Sequence, residues 1–222
     1  MEMRECLPFW KELTVQQQAK LESAATLEHV KKGEVIHNGT ADCVGLLVIV
    51  SGQLRGFSLS EDGRQVTIYR LFSRDVCLMS AYCMLNSLQF DISVEAEQDS
   101  VFWRIPAPVY KELMRQSAPV ANFTTELIAS RFSDVMWLLD QILYKHLDSR
   151  LAAFLVEECR LTGSDTLSLT HDAIAGHLGS AREVITRMLR YFSSEGLVKL
   201  GRGSLQVLNT ERLIHIAGDR LR

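Results

Sequence analysis

Arg182, Glu183, Thr186 and Arg187 fall close together in the stretch "LTHDAIAGHLGSAREVITRMLRYFSSEGLVKLGRGSLQVL". These side chains suit the reading of base edges in a DNA groove. A guanidinium fork meets guanine O6 and N7 together, a carboxylate accepts from cytosine N4, and a threonine offers a hydroxyl or a methyl. Their spacing puts all four within two turns on one face of a helix, while Val184, Ile185, Met188, Leu189 and Phe192 take the other face. Taken alone, Glu183 and Arg187 could be an i,i+4 pair on a solvated helix, worth a few tenths of a kcal/mol. The flanking pattern favours the recognition reading.

That pattern predicts a helix-turn-helix. Thr170 is placed to cap a short helix carrying Ile174 and Leu178, and the small Ala175 permits a close helix crossing. Gly179 supplies a left-handed turn before a second helix from about Ala181 to Ser193. "GLVKLGRGSLQVL" then reads as two strands joined by Gly-Arg-Gly, a wing. Lys199 and Arg202 on the wing, with the hydroxyls of Thr170 and Ser180, are the candidate phosphate contacts. The net charge is −3 and the pI about 6.1, yet residues 180–204 carry five bases against two acids. A local basic segment on an acidic chain implies double-stranded DNA as partner.

A second group is "DVCLMSAYC", which sets Cys77 and Cys83 in an apolar run. Three readings stand: buried core thiols, metal or haem ligation with His37 or Met79, or a reversible thiol switch with Arg74 as the one nearby base. The spacing fits no standard zinc pattern, so no metal site is assigned and the cofactor is left open. Five scattered cysteines suit a reducing compartment, and the amino-terminal residues lack the basic start and apolar stretch of a signal peptide. A cytoplasmic protein without membrane attachment is expected. The six histidines show no His-x-His spacing, so each is expected at the surface or at a cap. A metalloenzyme on a jelly roll, of the cupin kind, would need a cluster of histidines with a carboxylate. The first domain offers His29 and His37 alone, and no nucleophile–base set is evident, so an enzyme is not expected.

The remaining elements must position these groups. "VGLLVIV", "QLRGFSL", "QVTIYRLF", "FDISVEA" and "SVFWRI" read as strands of a compact all-β unit, with Asp62-Gly63 as a hairpin turn. Thr14 caps a short leading helix. Residues 120–162 contain neither Gly nor Pro, and a helix from Val120 to about His146 would be roughly 40 Å long. Its apolar stripe, Leu127, Ile128, Val135, Leu138 and Ile142, predicts a homodimer seam, the alternative being a helix buried within a monomer. Asp148 is the expected cap of the next helix. The expected architecture is α+β: a jelly-roll β domain over 1–119, a dimerisation helix and hinge over 120–147, and a winged helix-turn-helix over 148–222.

Two segments, "KKGEVIHNGTADCVGLLVIVSGQLRGFSLSEDGRQVTIYRL" and "LTHDAIAGHLGSAREVITRMLRYFSSEGLV", resemble the bacterial transcription regulators of the cyclic-AMP receptor protein / fumarate-nitrate regulator (CRP/FNR) family. The resemblance covers nearly the whole chain. It implies a cyclic-nucleotide-binding-like roll, a homodimer on a pseudo-palindromic promoter site, RNA polymerase as a partner, and a small-molecule effector of unknown identity. It also sets Arg182, Glu183 and Arg187 at the base-reading positions. Thr186 stands where the fumarate-nitrate type has Ser and the cyclic-AMP type Gly, so the half-site could resemble TGTGA or TTGAT. The cyclic-AMP type grips phosphate with a Gly-Glu-Leu stretch and a downstream Arg-Ser or Arg-Thr. The corresponding "SRDVCLMSAYCMLNSLQFDISVEA" lacks both, which argues against a cyclic nucleotide. The fumarate-nitrate type holds an iron–sulfur cluster on three amino-terminal cysteines and a central one; here only Cys6 lies near the start. A regulator with a purely structural β domain is the alternative, and a roll interior filled by side chains would favour it.

Overall fold

The computed structural model describes residues 2–39, 43–78, 92–144 and 146–218. In chain order the elements are α1 (Met3–Cys6), a 3-10 turn (Trp10–Glu12), α2 (Val15–Ala24), β1 (Thr26–Val30), β2 (Val35–Asn38), β3 (Leu46–Ser51), β4 (Leu54–Leu59), β5 (Gln65–Leu71) and β6 (Val76–Cys77). There follow β7 (Ser93–Ala96), β8 (Ser100–Ile105), α3 (Ala107–Gln116), α4 (Ala118–Tyr144), α5 (Leu147–Thr162), β9 (Thr166–Leu167), α6 (His171–Leu178), α7 (Arg182–Ser194), β10 (Val198–Gly201), β11 (Ser204–Val207) and α8 (Thr210–Ala217). They gather into two compact units, Met1–Leu59 with Ile68–Val135, and Ser60–Thr67 with Met136–Arg222.

The first unit is a β-roll of two four-stranded sheets, ordered β1-β8-β3-β6 and β2-β7-β4-β5. The continuous apolar run of β3 is explained by burial on both faces. Leu47 and Ile49 point into the roll with Leu54, Leu71, Val94 and Phe102. Leu46 and Val48 face the helices, against Leu21, Ile105, Tyr110 and Val120. Each such side chain removed from water stabilises the fold by roughly 1.5–3 kcal/mol. Thr14 caps α2 as expected, in a reciprocal capping box with Gln17. The expected strand in "FDISVEA" begins at Ser93; Phe90 and Asp91 lie outside the described residues.

Helix α4 is 27 residues long, with Pro119 tolerated in its first turn. Leu127 and Ile128 pack against the helix-side core of the first unit, so their apolar surface is already engaged within the chain. The exposed series is instead Phe132, Met136, Leu139 and Leu143, at intervals of four, three and four residues, flanked by Trp137 and Ile142. Val135 and Leu138 are half-buried between the two. Apolar spacing in the sequence marks both stripes and does not say which one the roll covers.

In the second unit, Leu151 and Leu155 of α5 share a core with Ile174, Leu178, Ile185, Leu189, Phe192, Leu205 and Leu213. Asp148 does not cap α5: the cap position belongs to His146, and Asp148 sits in the first turn, accepting from the Ser149 backbone N–H at 2.7 Å. There the carboxylate favours the positive end of the helix dipole. Strand β9, two residues long, and α8, capped by Asn209 on the Arg212 N–H, add to the expected wing. No helix of the described residues is long and apolar enough to cross a membrane.

Candidate nucleic-acid interface and the interior of the roll

The helix-turn-helix is assembled from local signals. The Thr170 hydroxyl accepts from the Ala173 N–H at 3.1 Å and starts α6. Gly179 ends it at φ 62°, and the next N–H, that of Ser180, reaches back to the Ala175 carbonyl at 3.0 Å. The last α6 carbonyl, that of Leu178, also accepts from Arg150 Nη2 at 2.6 Å, which ties α5 to the turn. Burial pulls the Arg150 pKa down from its usual value. Within the same unit, Val66 bridges Leu178, and the Thr67 hydroxyl lies 2.8 Å from His177 Nδ1.

Helix α7 buries Ile185, Leu189 and Phe192 and exposes Arg182, Glu183, Arg187 and Arg190. Glu183 and Arg187 do not pair with each other, so the bland salt-bridge reading does not describe them. Arg182 Nη1 stands 3.4 Å from Asp172 Oδ2, both well exposed, a contact worth about 0–1 kcal/mol. Thr186 is half-buried, and its hydroxyl lies 2.8 Å from His171 Nδ1. The wing pairs β10 with β11, Lys199 opposite Gln206, and turns through Arg202 and Gly203 with φ 70° at the glycine. Lys199 and Arg202 are exposed, Ser180 is half-buried, and Thr170 combines exposure with its capping role. Sequence inspection singled out neither His171, Asp172 nor Arg150. The one available hint was that His171 and Asp172 follow directly on the capping threonine.

The roll interior holds a different kind of polar chemistry. The Tyr69 ring lies so close over Gly56 that a side chain there would overlap it. The Tyr69 hydroxyl is 3.7 Å from Cys77 Sγ, and the Arg131 guanidinium of α4 sits over the ring at 5.1 Å while pairing with Asp134 at 3.0 Å. Burial, followed by the neighbouring Cys77, pushes the phenol pKa well above its usual range, so the ring stays neutral. Cys77 is a buried thiol beside Tyr69; Cys83 lies outside the described residues. Cys6 and Cys159 are free, and burial raises both thiols, whereas Cys43 is in a disulfide. His37 departs from the surface placement expected of it: it is buried, opposite Val94 on the interior side of β7. On the other face of that sheet Arg55 meets Glu95 at 2.7 Å, and Arg70 Nε meets Glu97 at 3.0 Å. Among the described residues no group of three or more His, Cys, Asp or Glu is placed to share a metal ion.

Comparison with known proteins agrees with this division. Residues 27–117 match the cyclic nucleotide-binding domain and residues 149–216 the Crp-like helix-turn-helix domain. A crystal structure of a chain from Eubacterium rectale, assigned to the crp/fnr family of transcriptional regulators, is 53% identical. It covers 96% of this chain and 99% of its own, with a TM-score of 0.94. The transcriptional activator protein anr of Pseudomonas aeruginosa is 25% identical over 97% of this chain and 90% of its own. The cyclic AMP receptor protein of Thermus thermophilus is 26% identical over 78% of this chain and 79% of its own.

Proposed function

Because this chain belongs to the CRP/FNR family of transcription regulators, we propose that it works as a homodimer on a pseudo-palindromic promoter site. The observation that carries this reading is the exposed face of α7, where Glu183 and Arg187 make no ion pair among the described residues and a basic wing follows. Glu183 and Arg187 read base edges, and Arg182 reads with them once its loose contact to Asp172 yields. Lys199, Arg202, Thr170 and Ser180 hold phosphates. The exposed series Phe132, Met136, Leu139 and Leu143 supplies the dimer seam, since its heptad-like spacing suits a left-handed coiled pair. Residues 1–119 then serve as sensor, 120–147 as dimer helix and hinge, and 148–222 as reader, acting in the cytoplasm with RNA polymerase as partner.

Selection from a random pseudo-palindromic DNA library, followed by fluorescence anisotropy, tests this. The wild type should enrich one half-site, and Arg187→Ala should cost about 1–3 kcal/mol of discrimination at one base pair. Enrichment of nothing, or unchanged discrimination in the variant, would sink the reading.

The effector is a separate matter. A cyclic nucleotide is disfavoured, because Tyr69 occupies interior space over Gly56 and the chain lacks the phosphate-gripping stretch described above. The Tyr69 ring over Gly56 also supports a second reading, in which the roll is a structural support and the reader is constitutive. Absence of any thermal shift with cyclic AMP fits both; a saturable stabilisation would overturn the exclusion.

A further inference from the structure

The recognition helix carries two stripes that are treated differently. Glu183 and Arg187, one turn apart, are exposed and make no ion pair among the described residues. Arg182 and Thr186, also one turn apart, lean on its first turn, Arg182 toward Asp172 at 3.4 Å and Thr186 toward His171 at 2.8 Å. The two contacts are unequal. The ion pair is open to water on both sides and readily exchanged, whereas the His171–Thr186 bond is half-buried and short. Either imidazole tautomer keeps it, because the hydroxyl can donate to a bare Nδ1 or accept from a protonated one.

A threonine has one hydroxyl and one methyl on the same carbon. With the hydroxyl directed into the protein at His171, the methyl is the group left for a base edge. We propose that His171 is a specificity-determining positioning residue, which holds Thr186 so that it reads the 5-methyl of a thymine by apolar contact rather than a hydrogen-bonding edge. This rests on α7 being the recognition helix, and it adds a chemical identity to one position of the half-site. A serine at 186 would keep the hydroxyl and lose the reading group; a valine would do the reverse. Loss of His171 would free the Thr186 side chain to turn its hydroxyl outward and accept several bases.

The test uses the full-length protein and the site that the wild type itself selects. Each thymine of the half-site is replaced in turn by deoxyuridine, which removes only the 5-methyl, and affinity is measured by anisotropy. The wild type should lose about three- to fivefold at one thymine per half-site, the worth of one buried methyl group. Thr186→Val should keep that penalty at the same position. Thr186→Ser and His171→Ala should reduce it below twofold, while the deoxyuridine penalties at the other thymines stay as in the wild type. A flat deoxyuridine profile for the wild type, a penalty kept by Thr186→Ser or by His171→Ala, or one lost by Thr186→Val would overturn the proposal. Failure of the wild type to select any site is a different result, and it would overturn the parent reading instead.

Discussion

The β-roll and the reader treat charge in opposite ways. In the roll, Arg55 is paired with Glu95 and stacked on Phe57 at 4.7 Å, Arg70 is paired with Glu97, and Arg131 is paired with Asp134 over the Tyr69 ring. These guanidiniums are largely out of water, so each is matched by a carboxylate in the same chain. In the reader, Arg187, Arg190, Lys199 and Arg202 are exposed and make no ion pair among the described residues. A buried charge must find its partner inside the fold, while an exposed one can be left for phosphates and bases. The buried arginines of the roll are therefore structural, while those exposed on α7 and the wing are left open to a partner.

The largest break in that comparison should come from the roll. Arg55→Ala strands the Glu95 carboxylate, whose side chain is 22% exposed beside an arginine 7% exposed, and should destabilise folding by about 3–5 kcal/mol in urea titration. Arg187→Ala, by contrast, should change stability by about 0.5 kcal/mol or less, since it sits on the surface away from any pairing. A loss of stability in Arg187→Ala equal to that in Arg55→Ala would erase the distinction.

A second break concerns volume rather than charge. Gly56→Ala places a methyl group into the Tyr69 ring and should cost roughly 1–3 kcal/mol. Adding Tyr69→Leu should recover part of that cost in a double-mutant cycle, because the two sites share one space. Strict additivity would mean that the ring does not fill this position in solution.

Smaller still is the cap. Thr170→Ala removes the hydroxyl that accepts from the Ala173 N–H and should lower the stability of the second unit by about 1 kcal/mol. If Thr170 also touches phosphate, DNA affinity should fall by more than the stability change explains. Lys199→Ala should leave folding untouched, weaken all DNA sequences about equally, and reduce the salt dependence of binding by about one phosphate contact. An unaltered salt slope would remove Lys199 from the interface.

Legibility followed the range of the interactions. The helix-turn-helix could be read because its signals lie within a few residues of their effects: Thr170 caps three residues ahead, Gly179 closes the turn beside it, and Ile185, Leu189 and Phe192 recur at helical spacing. Asp148 misled, since a carboxylate serves a helix start from the first turn as well as from the cap itself. The apolar stripes of α4 were half legible. Apolar recurrence along α4 is plain, yet only the packing of Leu127 and Ile128 against the roll reveals that Phe132, Met136, Leu139 and Leu143 form the uncovered stripe.

By itself, then, the sequence determined the order of the elements, the turn chemistry that joins them, and the presence of a basic, amphipathic recognition helix near the carboxy terminus. Tertiary structure decided which partner each polar side chain meets. His171 is fifteen residues from Thr186 and Tyr69 is thirteen from Gly56, with Arg131 a further 62 beyond Tyr69, so no local period links them. Periodicity states that a side chain faces an apolar layer or water. Only the folded chain states what stands opposite, and at Thr186 it sets the hydroxyl 2.8 Å from His171 Nδ1.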